Sequence, residues 1–174
     1  MAVTGQVIST AATMGLHYAE RLLAEIPEDR FARMSAPSGK SIQSNHPAFI
    51  VGHLCLYPDK VAALLGSSQE KTQPPEKFEA VFSKTAQCVD DPDGTIYPKR
   101  EEILAFFRQS YLAAIEAIAG ASEEVLGREN PVDTPMKEVV DTLGGLVNFY
   151  MTSHVMVHLG QLSAWRRMEN LPPA

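Results

Sequence analysis

The chain is short of cysteine, of positive charge and of tryptophan, and the first two shortages each exclude something. Two cysteines in 174 residues, Cys55 and Cys88, are too few and too far apart for a disulfide framework. Lys and Arg number 15 against 21 Asp and Glu, leaving a formal charge of -6. That balance opposes any broad phosphate-tracking surface, so no nucleic-acid partner is expected. No basic segment followed by an apolar core opens the chain, and the expected setting is a reducing cytoplasm. Internal repeats and low-complexity tracts are also missing. An apolar share of 45% and a charged share of 21% describe an ordinary globular chain. A single domain over residues 1–174 is expected, because a chain of this size buries about 70% of its unfolded surface around one core.

Charge is absent altogether from one long stretch. From Leu143 to Trp165 the sequence LGGLVNFYMTSHVMVHLGQLSAW has 23 consecutive residues without Asp, Glu, Lys or Arg. A helix of that length spans a bilayer, but Asn148, Thr152, Ser153, His154, His158, Gln161 and Ser163 would place amides, hydroxyls and imidazoles in hydrocarbon. The reading is therefore a helix enclosed by protein, with no membrane partner.

Periodicity points to helices throughout. Val7, Ala11, Met14, Tyr18, Leu22 and Leu23 recur at three- and four-residue intervals and predict an amphipathic helix over 3–25, closed by Pro27. A long loop rich in Pro, Ser and Gly follows. The second helix opens at Asn45, His46 and Pro47, is kinked between Leu54 and Pro58, and stops at Gly66. Residues 67–97 carry a short helix near 76–85 and a DDPDG turn. A third helix begins at Pro98, turns Ile103, Phe106, Phe107, Tyr111, Ala114, Ile115 and Ile118 to one side, and ends at Gly120. A turn at 122–126 leads to a last helix, broken near Gly144 and Gly145, that runs to about Glu169. Four long helical segments without a convincing strand predict an all-α fold, a four-helix bundle with long connecting loops.

The candidate chemistry lies in histidines. His154 and His158 are one turn apart, within about 40° of arc and about 6 Å of rise, so both imidazoles can reach one ion. Gln161 and Trp165 share their stripe. The spacing is that of a zinc-protease motif, but Val155 stands where that motif needs its glutamate base. His53 lies on the core face of the second helix with Ile50, Tyr57, Val61 and Leu64. In helical bundles, metal sites are built from such inward side chains on facing helices, and three imidazoles with an open position suit catalytic zinc. A simpler reading leaves these histidines as hydrogen-bonded core residues.

The patches NHPAFIVGHLCLYPDK and FYMTSHVMVHLGQLSAWRR resemble the DinB-like superfamily of four-helix proteins, described as metal-dependent hydrolases and including thiol-dependent S-transferases. The matching positions are His53 in VGHL, then His154, His158, Gly160, Gln161, Leu162, Arg166 and Arg167. The resemblance implies one divalent metal held by His53, His154 and His158. Zinc is the first candidate, with nickel, iron or manganese as others, and a low-molecular-weight thiol is a candidate co-substrate.

On this reading the chain is a metal-dependent hydrolase or thiol S-transferase acting on a small molecule. The rival is a non-catalytic metal-binding, structural or stress-response protein with core histidines. His46, Tyr57, Tyr150 and Gln161 are candidate pocket residues, with a simple cap the alternative for His46 and core packing the alternative for both tyrosines. Arg166 and Arg167 are read as solvated cations in the last turn of a helix, with recognition of an anionic substrate the alternative. Cys55 points away from His53, and Cys88 sits beside Asp90 and Asp91, whose charge disfavours a reactive thiolate. Gly144, Gly145 and Gly160 permit close approach of a second copy, and a homodimer is expected.

Overall fold

Proline and glycine set most of the boundaries. The computed structural model describes residues 3–133 and 135–174. Helices run over Val3–Ala24 (α1), Pro47–Leu54 (α2), Tyr57–Leu65 (α3), Glu76–Phe82 (α4), Arg100–Gly120 (α5), Glu123–Leu126 (α6), Leu143–Asn148 (α7) and His154–Met168 (α8). The fold is all-helical; among the described residues the only β pairing is an isolated bridge between Glu129 and Thr142. Pro47 occupies the first turn of α2, where its missing N–H costs nothing. Gly66 closes α3 in the left-handed conformation at φ 69°.

The expected kink is a full interruption at Cys55 and Leu56, between α2 and α3. Pro58 has no N–H to offer the Leu54 carbonyl four residues back. The buried hydroxyl of Tyr111 on α5 takes that place, donating to Leu54 O at 3.4 Å. A second interruption lies in the last helix, and here the structure corrects the sequence reading. Thr142 caps α7, accepting from the Gly145 N–H, so Gly144 and Gly145 sit in a regular first turn. The irregularity comes later, as a π-helical turn over Phe149–Ser153 joining α7 to α8.

Four helical arms close a ring: α1 lies against α5 and α8, and the α2–α3 arm lies against the same two from the opposite side. One core runs through all four, from Leu16 and Leu22 on α1 through Ile50 and Leu54, then Phe107 and Tyr111, to Leu159 and Trp165. On α1 the expected face was only partly right. Leu22 and Leu23 are buried, but Val7 and Met14 are 64% and 69% exposed, and the core face is Ile8, Ala12, Gly15, Leu16 and Ala19. No charged residue precedes Glu20 on this helix to mark which apolar side faces outward.

Among the described residues two helices are long and apolar enough to cross a membrane, Pro47–Leu65 and Arg100–Gly120, and the Leu143–Trp165 run is not one of them. Both pack on the core, and α5 turns Glu101, Glu102, Arg108 and Glu116 outward. Arg166, expected in solvent, is 2% exposed. It donates to Leu22 O at 2.6 Å and Pro172 O at 2.7 Å and pairs with Glu25 at 3.1 Å. Packed helix termini present bare carbonyls, and a long cation reaching them is satisfied by direct bonds. Arg167 alone remains exposed.

Glycine is required where α2 meets α4. A Cβ on Gly52 would meet the ring of Phe82 at 2.4 Å, so only glycine lets the end of α4 rest on α2. Gly52→Ala should therefore lower the urea unfolding midpoint by the equivalent of about 1–3 kcal/mol, the usual cost of overpacking a full core. An unchanged midpoint would show that Phe82 yields freely.

Candidate metal centre

His53, His154 and His158 come together, although about a hundred residues of chain separate the first from the other two. One nitrogen from each lies within 4.8 Å of the others. The rings of His53 and His158 are 4.9 Å apart between centroids, and those of His53 and His154 are 5.4 Å apart. The cluster sits where both of its arms are interrupted: His53 and Tyr57 flank the break at Cys55–Leu56, and His154 directly follows the π-helical turn. Such turns are a recurrent feature of functional sites, because the extra residue shifts the helix face that follows.

Outer partners fix two of the three rings. The Phe82 carbonyl, at 2.8 Å, takes the Nδ1–H of His53 and turns Nε2 inward. Gln161 Oε1, at 3.1 Å, takes the Nδ1–H of His158, and the Asn45 amide in turn donates to Gln161 Oε1 at 3.2 Å. These tautomers are assigned from the bonding partners. His154 has no such support, and its buried Nδ1 has no partner in the protein. Its Nε2 faces that of His158 at 3.1 Å.

Burial disfavours the charged form of all three rings. Burial first, then the neighbouring His158 and His53, then Lys60, hold His154 down at about 3. Burial likewise lowers His53 and His158, against the opposing pull of Phe82 O and Gln161 respectively. Neutral imidazoles expose lone pairs, which is the form that binds a metal. Zn–N bonds of 2.0–2.1 Å in a tetrahedron imply nitrogens about 3.3 Å apart, close to the separation of His154 and His158.

Aromatic rings form one side of the cluster. The Tyr57 hydroxyl lies 3.3 Å from His53 Nε2, and its ring is 4.2 Å from that of His154 and 5.2 Å from that of Tyr150. Phe149, in the π-helical turn, stands 5.9 Å from His154. Both tyrosines are half-buried, and burial raises both hydroxyls above their usual range. The Lys60 ammonium is 5.0 Å above the Tyr57 ring. Its field and that of Glu79 reach His53.

His46 is not in this group. Its Nδ1 accepts from the Phe49 N–H at 3.2 Å, capping α2, while Nε2 donates to Val89 O at 3.0 Å. His17 is exposed on α1. The thiols of Cys55 and Cys88 are both free, and burial pushes each of them up, with Asp90 adding a smaller push at Cys88. Sequence reasoning did not find Asn45, Phe149 or Phe82. Phe82 acts through its carbonyl, for which no side-chain signal exists, and Asn45 reads as a cap residue until the fold brings Gln161 beside it.

Neither a known protein-family model nor a curated protein matches this sequence.

Burial at His46 generates a pH prediction. Its desolvated ring, fully enclosed, is held down at about 4 against an ordinary value of 6.5. The unfolded chain therefore binds the proton more readily, and stability is lost as pH falls from about 6.5 towards about 4. His46→Asn preserves an N-cap without a titratable group. Urea titrations should show a shallower acid loss for His46→Asn than for the parent, whereas equal slopes would mean His46 takes no part.

Proposed function

We propose that this chain is a four-helix bundle of DinB-like type. It binds one divalent cation, zinc first, through His53, His154 and His158, and acts in the cytoplasm as a hydrolase or thiol S-transferase on a small molecule. One observation carries this reading: three neutral imidazoles on two separate arms present nitrogens to one point, with two of the rings held from behind. Outer partners of this kind orient metal-binding histidines and raise their basicity. A divalent cation there would lower the pKa of a water or thiol ligand and so supply a nucleophile at neutral pH. The chain's own groups then divide the work. Phe82 O and Gln161 hold two imidazoles in the binding tautomer. The Tyr57, Tyr150 and Phe149 rings flank the cluster and would exclude water from one side. Lys60 supplies a positive field beside the reacting centre, suited to a substrate that gains negative charge.

Isothermal titration of chelator-treated protein with zinc should show one equivalent bound. His158→Ala should abolish it, and His46→Asn should retain it. Gln161→Leu removes only the outer acceptor and should weaken binding by about 10–100-fold. Absence of uptake by the parent chain would overturn the metal reading. If metal binds, His158→Ala should also abolish turnover in a panel of ester-hydrolysis and thiol-conjugation assays. A parent chain inactive across that panel would favour the non-catalytic reading.

Tyr57 makes a separate prediction. In the metal-free protein its O–H donates to the lone pair on His53 Nε2 that a cation would use, so loading must break this bond. Tyr57→Phe should bind zinc about 2–10-fold more tightly, the equivalent of one hydrogen bond of about 0.5–1.5 kcal/mol. Weaker binding by the variant would instead place the phenol among the groups that hold the loaded state.

A further inference from the structure

One cation at the rim of the histidine cluster is left without a carboxylate. Lys60 lies one turn beyond Tyr57 on α3, and its side chain is exposed. The Tyr57 ring holds its ammonium at 5.0 Å, within the reach of a cation–π contact, and the same ring lies 4.2 Å from that of His154. Among the described residues Lys60 is the one Lys or Arg whose field acts on both His53 and His154. Carboxylates outnumber cations in this chain, 21 to 15, yet none of the ion pairs among the described residues takes Lys60. Its sequence neighbour Asp59 is turned to Gln69 and Thr72, accepting from them at 2.8 and 3.1 Å. Glu79 on α4 is exposed and acts on the His53 and Tyr57 side. The arginines that follow the histidine stripe serve elsewhere. Arg166 is bound by Leu22 O, Glu25 and Pro172 O, and Arg167 lies nine residues beyond His158, about 13 Å further along α8.

We propose that the cluster takes a small substrate carrying a carboxylate, which Lys60 binds while the reacting end of the same molecule meets the three imidazoles. This deepens the metal-centre reading and rests on it. A lysine in solvent is ordinary, but one seated over a ring that itself packs on a candidate ligand is positioned. Its ammonium is a compact charge with three donors, and a carboxylate meeting it forms a charge-assisted hydrogen bond of about 2.7–2.9 Å. Charge selects a single negative group. A phosphate dianion is best held by a guanidinium fork or a second cation, and the other charged side chain acting on this side is Glu79. Distance selects a short molecule. Steps of 5.0 Å and 4.2 Å lead from the ammonium through the Tyr57 ring to His154, which a carboxylate about two or three carbons from the reacting atom can bridge. Those carbons would lie along the rings of Tyr57 and Tyr150, 5.2 Å apart. Binding of the remote carboxylate then fixes the reacting atom in place, so Lys60 is a specificity-determining residue.

Three thiols of similar length and different charge test this: 3-mercaptopropionate, 2-mercaptoethanol and cysteamine. Each is titrated into the full chain loaded with cobalt(II) in place of zinc, and binding is read from thiolate-to-cobalt charge-transfer absorption, the thiol proton passing to the buffer. 3-Mercaptopropionate should bind most tightly and cysteamine most weakly. The metal's own charge favours any anion, so the decisive quantity is the affinity for 3-mercaptopropionate relative to 2-mercaptoethanol. Lys60→Gln should still load one equivalent of cobalt, and that ratio should fall by about 2–5-fold, the range of an ion pair open to water. Lys60→Arg should keep the ratio of the parent. A loaded parent that binds none of the three, or binds them without regard to charge, overturns the proposal. So does a ratio that Lys60→Gln leaves intact. In each of these cases the metal reading stands. A chain that takes up no cobalt overturns that reading and the proposal together.

Discussion

His53, His154 and His158 meet across two arms of the bundle, and the bonds that aim their rings are the constraint on which the site depends. Phe82 O and Gln161 hold the outer nitrogens of His53 and His158, which turns each Nε2 inward, where the Tyr57 hydroxyl lies 3.3 Å from one and His154 Nε2 lies 3.1 Å from the other. Burial disfavours the charged form of all three, holding His154 at about 3 and lowering His53 and His158. A cation would take the inward nitrogens in place of these contacts. The rest of the structure is organised to maintain this face-to-face geometry. His53 is held through Phe82, whose approach depends on the missing side chain of Gly52, and His158 is held through Gln161 and Asn45.

The long connections serve the same end by being tied down. The 27–45 loop and the 83–97 loop are joined where Asp90 receives Arg33 twice and the Met34 N–H once, which holds its carboxyl below the usual range. Asp91, 4% exposed, closes the DPDG turn by accepting the N–H groups of Thr95, Ile96 and Tyr97. Trp165, at the end of the histidine stripe, donates its indole N–H to Arg33 O at 3.0 Å. A single hydrogen-bonded path thus links the last helix to the loop that delivers Asn45. Loops fixed in this way keep Asn45 and Gln161 in register with the imidazole they hold, which freely moving loops would not.

Much of this was legible in the sequence, and for identifiable reasons. The helices, the stop at Gly66 and the interruption before Pro58 follow from local rules on proline and glycine. The pairing of His154 with His158 follows from helical spacing, while their meeting with His53 rested on the expectation that core faces converge. Less legible was anything set by tertiary contact. The π-helical turn leaves no mark in composition, and its effect is to re-aim a helix rather than end it. Arg166 reads as a surface cation because nothing local says that Leu22 and Pro172 will present carbonyls to it. Both sides of α1 are apolar, so the sequence could not separate the core face from the outer one, where Val7 and Met14 stand exposed.

X-ray absorption at the zinc edge of the loaded protein tests the central claim most directly. The account predicts a nitrogen shell at about 2.0–2.1 Å, with the outer-shell scattering of three imidazole rings, and the loss of one ring's contribution in His53→Ala. A first shell of water oxygens without imidazole scattering, or a spectrum that His53→Ala leaves unchanged, would contradict it.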